Sequence, residues 1–228
     1  MSKIGIIGAM DVEVETLKSQ MEQVQTEEIS RMTFYSGILW GCEVVVAVSG
    51  IGKVNSAMCA QTMILKYSPD IIINTGVAGG HASLEVCDTV IATKVVQHDC
   101  DSTATGDPSG LIWGVDLVYL PCADEVVQRL TAASERLGKK FHTGVIASGD
   151  QFIASSEKSA WISETFGAVA YEMEGASIGQ VCYINGVDFA VVRIISDNGN
   201  EESHIDFPKF TRIAVKESVE LLKEFFAL

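Results

Sequence analysis

Apolar runs rich in β-branched residues recur along the chain, and most of them end at a glycine or an acid. The run at 3–9 reads KIGIIGA, and comparable runs occupy 70–76, 88–97 and 188–197. A run that is apolar at every position is typical of a parallel strand covered by helices on both faces. Stretches with helical spacing separate these runs. The sequence therefore predicts an α/β fold, a three-layer α/β/α sandwich around a mixed, largely parallel sheet.

The remaining segments fit this plan. MTFYSGIL and CEVVVAVS flank a Trp-Gly pair and are predicted to form a hairpin. FHTGVIASG and GAVAYE are predicted as further strands. Asp11 is expected to cap the first helix, and the last helix is expected to start near Phe207. Other helices are predicted over KVNSAMCAQTMILKY and at 122–137, 155–165 and 174–185.

Length and charge restrict the class of protein. The 228 residues are 47% hydrophobic and contain no linker, repeat or low-complexity tract, so one domain covering 1–228 is expected. The formal net charge of −14 disfavours binding to nucleic acid or to an anionic membrane surface. No apolar run reaches the length of a membrane helix, and the N-terminal segment does not have the pattern of a signal peptide. We expect a cytoplasmic protein.

Motifs for cofactors and metals are incomplete. SGIGKVNSA fails the phosphate-binding loop pattern at two positions, and it lacks the third glycine of a dinucleotide fingerprint. The six cysteines include no C-x-x-C pair, and HDCD at 98–101 has no second His/Cys cluster to complete a metal site. Reduced, structural cysteines are expected, with no metal and no cofactor.

Acids collect at the predicted carboxyl ends of the strands. Glu13 follows the first strand, Glu172 and Glu174 lie within AYEMEG, and Asp197 ends RIISD. Because ligands of open α/β sheets bind at this edge, a glycine-lined and acid-lined crevice is predicted there. Each acid also has a simpler interpretation as a helix cap, a turn residue or a surface charge. Several acids beside a single arginine, Arg193, suit a polyhydroxy ligand whose transition state is cationic.

A sugar whose glycosidic bond is being cleaved is one ligand of this kind. The sugar passes through an oxocarbenium-like state, which a neighbouring carboxylate stabilises. A second carboxylate can take a proton from water, and a third group must protonate the leaving base. An aspartic acid serves as that third group only when burial raises its pKa.

Six motifs in order resemble those of the 5′-methylthioadenosine/S-adenosylhomocysteine nucleosidases, within the purine nucleoside phosphorylase superfamily. The resemblance runs from Lys3 to the last helix and rests on IGIIGAMDVEVE, SGIGKVNSA, INTGVAGG, SGDQFI, EMEG and RIISD. It implies a cofactor-free homodimer that hydrolyses the N-glycosidic bond, releases adenine and a 5′-thioribose, and serves methionine salvage.

The resemblance also implies roles for individual residues. Glu13 would activate water and Asp197 would protonate adenine N7. Glu174 would bind the ribose hydroxyls with Met173 against the sugar. The other residues expected at the substrate are Phe152 stacked on adenine, Ile153 reading its edge, Phe207 near the 5′ group, Arg193 and Glu172 positioning water and ribose, and Met10, Ile51, Val77 and Ser196.

Alternatives remain open on sequence alone. A phosphate-dependent phosphorylase would need positive charge where GAMDVEVE is acidic, so water is the favoured nucleophile. A non-catalytic nucleoside-binding protein is the other alternative, encouraged only by Val77, where relatives often carry serine. The ranking of 5′-methylthioadenosine, S-adenosylhomocysteine, 5′-deoxyadenosine and aminodeoxyfutalosine is open. Leu111, Ile112 and Trp113, in the irregular segment 99–121, are expected to shape the pocket or a subunit interface.

Overall fold

The structure is a computed structural model that describes residues 3–228. Within that range the chain forms ten β-strands, six α-helices and one 3₁₀ turn. The elements are β1 (Ile4–Gly8), α1 (Asp11–Gln20), β2 (Glu22–Ile29), β3 (Met32–Leu39), β4 (Cys42–Val48), α2 (Lys53–Tyr67), β5 (Ile71–Gly80), β6 (Thr89–Gln97), the turn Thr103–Thr105, β7 (Tyr119–Pro121), α3 (Asp124–Arg136), β8 (Phe141–Ser148), α4 (Ser156–Phe166), β9 (Ala168–Glu172), α5 (Gly175–Asn185), β10 (Asp188–Asp197) and α6 (Ser203–Ala227).

The strands form one mixed sheet with helices on both faces. β1 is parallel to β4 and β5, β5 is parallel to β10, and β6, β8 and β9 are parallel to one another. β10 and β6 pair antiparallel, as do β2, β3 and β4. Successive residues of a strand enter opposite cores. Ile72 packs with residues of α2 and α5, whereas Ile73 packs with residues of α1, α3 and α6. The predicted three-layer α/β fold is confirmed.

The long strand β5 determines where several strand ends meet. Most of β5 pairs with β10, in a register that places Arg193 beside Gly76 and Asp197 beside Gly79. Its last two residues, Gly79 and Gly80, also pair with β9, which sets Gly79 beside Tyr171. The carboxyl ends of β5, β9 and β10 therefore converge at one point.

Three local predictions were incomplete. β2 was not predicted, because its sequence EQVQTEEI is polar and this edge strand is exposed along almost its whole length. Asp11 is the first helical residue and not a cap. The residue before it, Met10, holds the cap position. α6 begins at Ser203, four residues before Phe207, and continues through Pro208 in its second turn.

No helix within residues 3–228 has both the length and the apolar character needed to cross a membrane. All six cysteines are free thiols, and burial raises the pKa of Cys59, Cys122 and Cys182 to about 12. These three thiols are structural, because their reactive thiolate form is disfavoured near neutral pH.

Candidate active site

A cavity of about 350 Å³ opens at the carboxyl ends of the central strands. Its wall contains all but one of the residues predicted for the site, namely Met10, Glu13, Ile51, Val77, Phe152, Ile153, Glu172, Met173, Glu174, Ser196, Asp197 and Phe207. The exception is Arg193, which lies outside the wall and is only 1% exposed. Residues far apart in sequence are thus brought to one place, as the strand-end pattern predicts.

Glu13 reaches the cavity from the first turn of α1. Its Oε2 accepts hydrogen bonds from the backbone N–H groups of Ala9 (2.7 Å) and Met10 (2.9 Å). Its Oε1 accepts a longer one from Val77 N–H (3.2 Å). Burial raises the pKa of Glu13 above its ordinary value, and the three backbone donors and the charge of Arg193 oppose that rise. All three hydrogen bonds to this carboxylate come from backbone N–H groups. Oε1 accepts one of them and Oε2 accepts two.

Glu172, in the cavity wall, forms a buried ion pair with Arg193 behind it, and both side chains are 2% exposed. The Glu172 carboxylate also accepts hydrogen bonds from Ser148 Oγ and from the backbone N–H groups of Glu174 (3.1 Å) and Gly175 (2.7 Å). Glu172 therefore fixes the N-terminus of α5 while it neutralises the arginine. The capping role considered for Glu174 belongs to Glu172.

Glu174 occupies the cap position of α5 without capping it through its side chain. Its Oε1 instead accepts a hydrogen bond from Gly52 N–H at 2.9 Å, across the cavity rim. The pKa of Glu174 is raised to about 7, mainly by burial and secondly by the nearby negative charge of Glu172. The two acids of EMEG thus have different environments, one paired with arginine and one open to the cavity.

Asp197 ends β10 and is 2% exposed. Its Oδ2 accepts a hydrogen bond from Ser196 Oγ (3.0 Å), and its Oδ1 accepts one from Gly199 N–H (3.0 Å). A Cβ on Gly79 would stand 3.0 Å from Asp197 Oδ1, so the strand approaches the carboxyl closely. Asp197 is held at the cavity wall with a defined orientation.

Most of the rest of the wall is apolar. Phe152 and Phe207 meet edge to face, with ring centroids 5.5 Å apart, and Phe152 is 49% exposed. Val77 packs in a small cluster with Ile194 and Ala214, against which Met10 and Phe207 also pack. An aromatic and aliphatic wall facing several carboxylates suits a ligand with a flat base and a polar sugar.

Sequence reasoning missed part of this wall. Tyr171 lines the cavity, and its hydroxyl is hydrogen-bonded to Ser159 (2.9 Å) and Ser163 (2.7 Å) of α4. Tyr171 directly precedes EMEG in the sequence, and this position could have indicated that it lies at the site. The other cavity residues not predicted are Ala9, Ala78, Gly79 and Gln151.

The segment 111–113 does not reach the cavity in this chain. Ile112 is buried in the core, and the 65% exposed Trp113 donates its indole N–H to Asp107 at 3.0 Å. The segment does not line the cavity of its own subunit. A role at the pocket of a neighbouring subunit or at a subunit interface stays a prediction. Across residues 3–228 no three His, Cys, Asp or Glu side chains cluster as a metal site.

This fold and site define a class. The sequence profile described as the phosphorylase superfamily matches residues 3–227, so the chain belongs to that superfamily. A 5′-methylthioadenosine/S-adenosylhomocysteine nucleosidase of Oceanobacillus iheyensis is 40% identical over 225 residues, which cover 96% of each chain. Within the superfamily, the chain belongs to the family of these nucleosidases, which are glycosidic hydrolases.

Solved structures agree with this placement. The Neisseria meningitidis enzyme of the same name, in complex with methylthio-immucillin-A, is 35% identical and superposes with a TM-score of 0.96 over 100% of both chains. A futalosine hydrolase of Helicobacter pylori is 33% identical, with a TM-score of 0.95 over 99% of this chain and 97% of that one. The fold is therefore shared by relatives named for different nucleosides.

Proposed function

We propose that the protein hydrolyses the N-glycosidic bond of 5′-methylthioadenosine and S-adenosylhomocysteine, releasing adenine and a 5′-thioribose. One observation carries the proposal. Glu13, Glu174 and Asp197, from three different elements, face a single cavity that has an aromatic wall. Relatives that are 40% and 41% identical over 96% of their length carry the name of this activity.

Glu13 is the base that activates water in this proposal. Its pKa is raised by burial, which brings its proton affinity towards the working pH. Oε1 accepts only one hydrogen bond, at 3.2 Å, and retains capacity for a water. Arg193 and Glu172 have a positioning role, because their ion pair holds together the strand ends at which water and ribose would bind.

The sugar is assigned to Glu174 and Met173, and the base to Asp197. An ionised Glu174 accepts the ribose hydroxyls and stabilises the positive charge that develops on the sugar. Asp197 delivers a proton to adenine N7, and the hydroxyl of Ser196 orients its carboxyl group. Protonation makes adenine a better leaving group. Asp197 therefore acts on the base side of the breaking bond, and Glu174 acts on the sugar side.

The apolar wall is assigned to adenine and the 5′ group. Phe152 stacks on the base, with the backbone of Ile153 at its edge. Phe207 lies at the 5′-thio substituent, where Met10, Ile51 and Val77 complete an apolar surface. A thioether fits such a surface better than a hydroxyl or a phosphate does, because burying it breaks no hydrogen bond with water.

Water is a better nucleophile here than phosphate. Among the described residues, the cavity wall contains no lysine, arginine or histidine. Arg193 lies outside the wall, and its guanidinium is hydrogen-bonded to Glu172 and Asn74. A dianion beside Glu13 would be repelled without compensation.

We also propose a homodimer built on a face of α2 and α5. Val54, Met58 and Leu65 of α2 are exposed beside Tyr183 and Ile184 of α5. The two helices pack together, and Gln61 of α2 is hydrogen-bonded to Asn185 of α5. Exposed apolar side chains grouped on two neighbouring helices are typical of a subunit interface.

The cellular setting completes the proposal. Residues 1–228 act as one domain without a cofactor, in the cytoplasm, where six free thiols would remain reduced. Consumption of 5′-methylthioadenosine there would serve methionine salvage.

The test is product analysis with purified protein. We would incubate it with 5′-methylthioadenosine, with and without phosphate, and separate the products by chromatography. Free adenine with unphosphorylated methylthioribose, in amounts independent of phosphate, is the expected result. Cleavage only with phosphate would identify a phosphorylase. No cleavage of this substrate, S-adenosylhomocysteine, 5′-deoxyadenosine or aminodeoxyfutalosine would overturn the proposal and favour a binding protein.

A further inference from the structure

Lys53, the first residue of α2, makes an ion pair near the cavity rim. Its Nζ lies 2.6 Å from Asp99 Oδ1 and 3.1 Å from Gln97 Oε1. Both charged side chains are about one-fifth exposed, so the pair is largely shielded from solvent. Asp99 comes just after β6, which makes this a contact between a helix start and a strand end.

The same residues are joined by backbone hydrogen bonds to Asp150. Asp99 Oδ2 accepts a hydrogen bond from Asp150 N–H at 2.8 Å. Asp150 Oδ1 in turn accepts one from Lys53 N–H at 2.8 Å. Lys53, Asp99 and Asp150 therefore form a closed ring of three contacts, which we call the rim triad.

The rim triad joins two walls of the cavity. Asp150 belongs to the loop 149–154, which carries Phe152 and Ile153 and which we call the purine loop. On the other side, Lys53 follows Gly52, whose N–H holds Glu174 at 2.9 Å. Asp150 also packs against Gly52, where a Cβ would stand 2.9 Å from its Oδ1 and where φ is +97°. Only glycine permits this close approach.

The positive charge of Lys53 keeps Asp99 ionised and so stabilises the rim triad. Burial alone would raise the pKa of Asp99, but the hydrogen bonds from Lys53 and from Asp150 N–H hold it below its ordinary value. Without the ammonium group, Asp99 would be a partly buried carboxylate close to another acid, Asp150. Its hydrogen bond to the purine loop would then weaken.

We propose that Lys53 and Asp99 are positioning residues that hold the purine loop against the start of α2 and so set the distance between Phe152 and Ile51. The inference deepens the proposed nucleoside hydrolysis and rests on it for the kinetic readout. Neither residue lines the cavity, so both act through the loop. Their loss weakens binding of the base more than it slows the chemical step, since the acids keep their own hydrogen bonds.

Kinetics of three variants test the proposal. Lys53→Met keeps the backbone N–H but removes the ammonium, and Lys53→Arg restores a cation. Lys66→Met is the matched control, because Lys66 lies on the same helix and pairs with Glu27 far from the cavity. We expect Lys53→Met to raise KM about 10-fold while kcat changes less. Lys53→Arg should recover most of that loss, and Lys66→Met should leave KM unchanged.

Hydrogen exchange of the purine loop gives a readout that does not need activity. Faster amide exchange at 149–154 in Lys53→Met, but not in Lys66→Met, is expected because Asp150 N–H loses a firmly held acceptor. A KM close to the wild-type value together with unchanged exchange would overturn the positioning role. If the wild-type protein cleaved no nucleoside, the proposed function would fail, and exchange alone would still decide the role of Lys53.

Discussion

Arg193 is buried outside the cavity wall and pairs with Glu172, which is part of that wall. The guanidinium also donates to the backbone oxygen of Asn74 at 3.1 Å and to its side-chain oxygen. Asn74 in turn donates to Ile7 O at 2.9 Å. Strands β1, β5, β9 and β10 are thereby joined by one polar network just below the site.

Removal of the arginine should destabilise the whole protein. In Arg193→Met the Glu172 carboxylate keeps its backbone donors but loses its counter-charge inside the core. We expect the free energy of unfolding to fall by about 3–5 kcal/mol, as is typical when one partner of a buried pair is removed. Urea denaturation measures this. Lys66→Met, which breaks an exposed pair, is the control and should cost about 1 kcal/mol or less. Equal losses in the two variants would contradict the prediction.

Asp197→Asn should separate catalysis from folding. The amide keeps the size of the side chain. Its oxygen can still accept the hydrogen bond from Gly199 N–H, and its NH2 group can donate to the Ser196 hydroxyl, which donates to the carboxylate in the wild-type protein. The amide cannot deliver a proton to the leaving base, so kcat should fall by about 10²–10⁴-fold. Adenine release and the unfolding midpoint are measured on the same preparation. Full activity in the variant would refute the role of Asp197 as the acid.

Glu174 should make activity and stability respond to pH in opposite directions. Its pKa in the folded protein is about 7, against an ordinary value of 4.5. The folded state therefore binds more protons than the unfolded state between these values, so stability falls as pH rises from about 4.5 to 7. Activity should rise over the same interval, because the ionised carboxylate is the form that stabilises the sugar cation.

Glu174→Gln tests this linkage. The amide does not titrate, so the change in unfolding free energy between pH 5 and pH 8 should become smaller than in the wild-type protein. Part of the change should remain, because the pKa of Glu13 is also raised by burial. The comparison needs urea unfolding at several pH values. An identical pH dependence in both proteins would show that Glu174 titrates near its ordinary pKa.

The sequence predicts most of the fold because its strands are apolar on both faces. Runs such as the one at 188–197 are apolar throughout and must be buried on both faces. Because the carboxyl ends of parallel strands meet at one edge of the sheet, the acids that end these runs lie at that edge. β2 was not predicted, because an exposed edge strand with the polar sequence EQVQTEEI has no continuous apolar run. The extent of α6 was not predicted either, because Pro208, which usually marks the start of a helix, lies here in the second turn.

The partners of the acids could not be predicted from sequence. Glu172 and Glu174 are two residues apart, yet one faces Arg193 and the other accepts from Gly52, 122 residues away. The rim triad likewise joins residues that are 46, 51 and 97 positions apart. Such contacts depend on loop conformations that leave no periodic signal in the sequence.

A charge on the exposed face of α2 should disrupt the proposed dimer. Val54 is 69% exposed and lies at the start of this face, next to Lys53. Val54→Glu would bury a carboxylate in the interface, so the dissociation constant of the dimer should rise. Light scattering over a dilution series measures this. Val24→Glu, on the edge strand β2, is the control and should leave the dimer intact. A monomeric wild-type protein would disprove the proposed dimer.

Gly76 should be essential because of its distance from Glu13. A Cβ at this position would stand 2.5 Å from Glu13 Oε1, closer than real contacts allow. Since φ at Gly76 is not in the left-handed region, alanine adds no backbone strain, and its main effect is to displace the carboxylate. We expect Gly76→Ala to lower kcat/KM about 10²-fold, the size of effect that a misplaced catalytic group produces. A double-mutant cycle with Glu13→Ala identifies the cause, because Gly76→Ala should add little loss once the carboxylate is absent. Fully additive losses would mean that Gly76 acts on the site by another route.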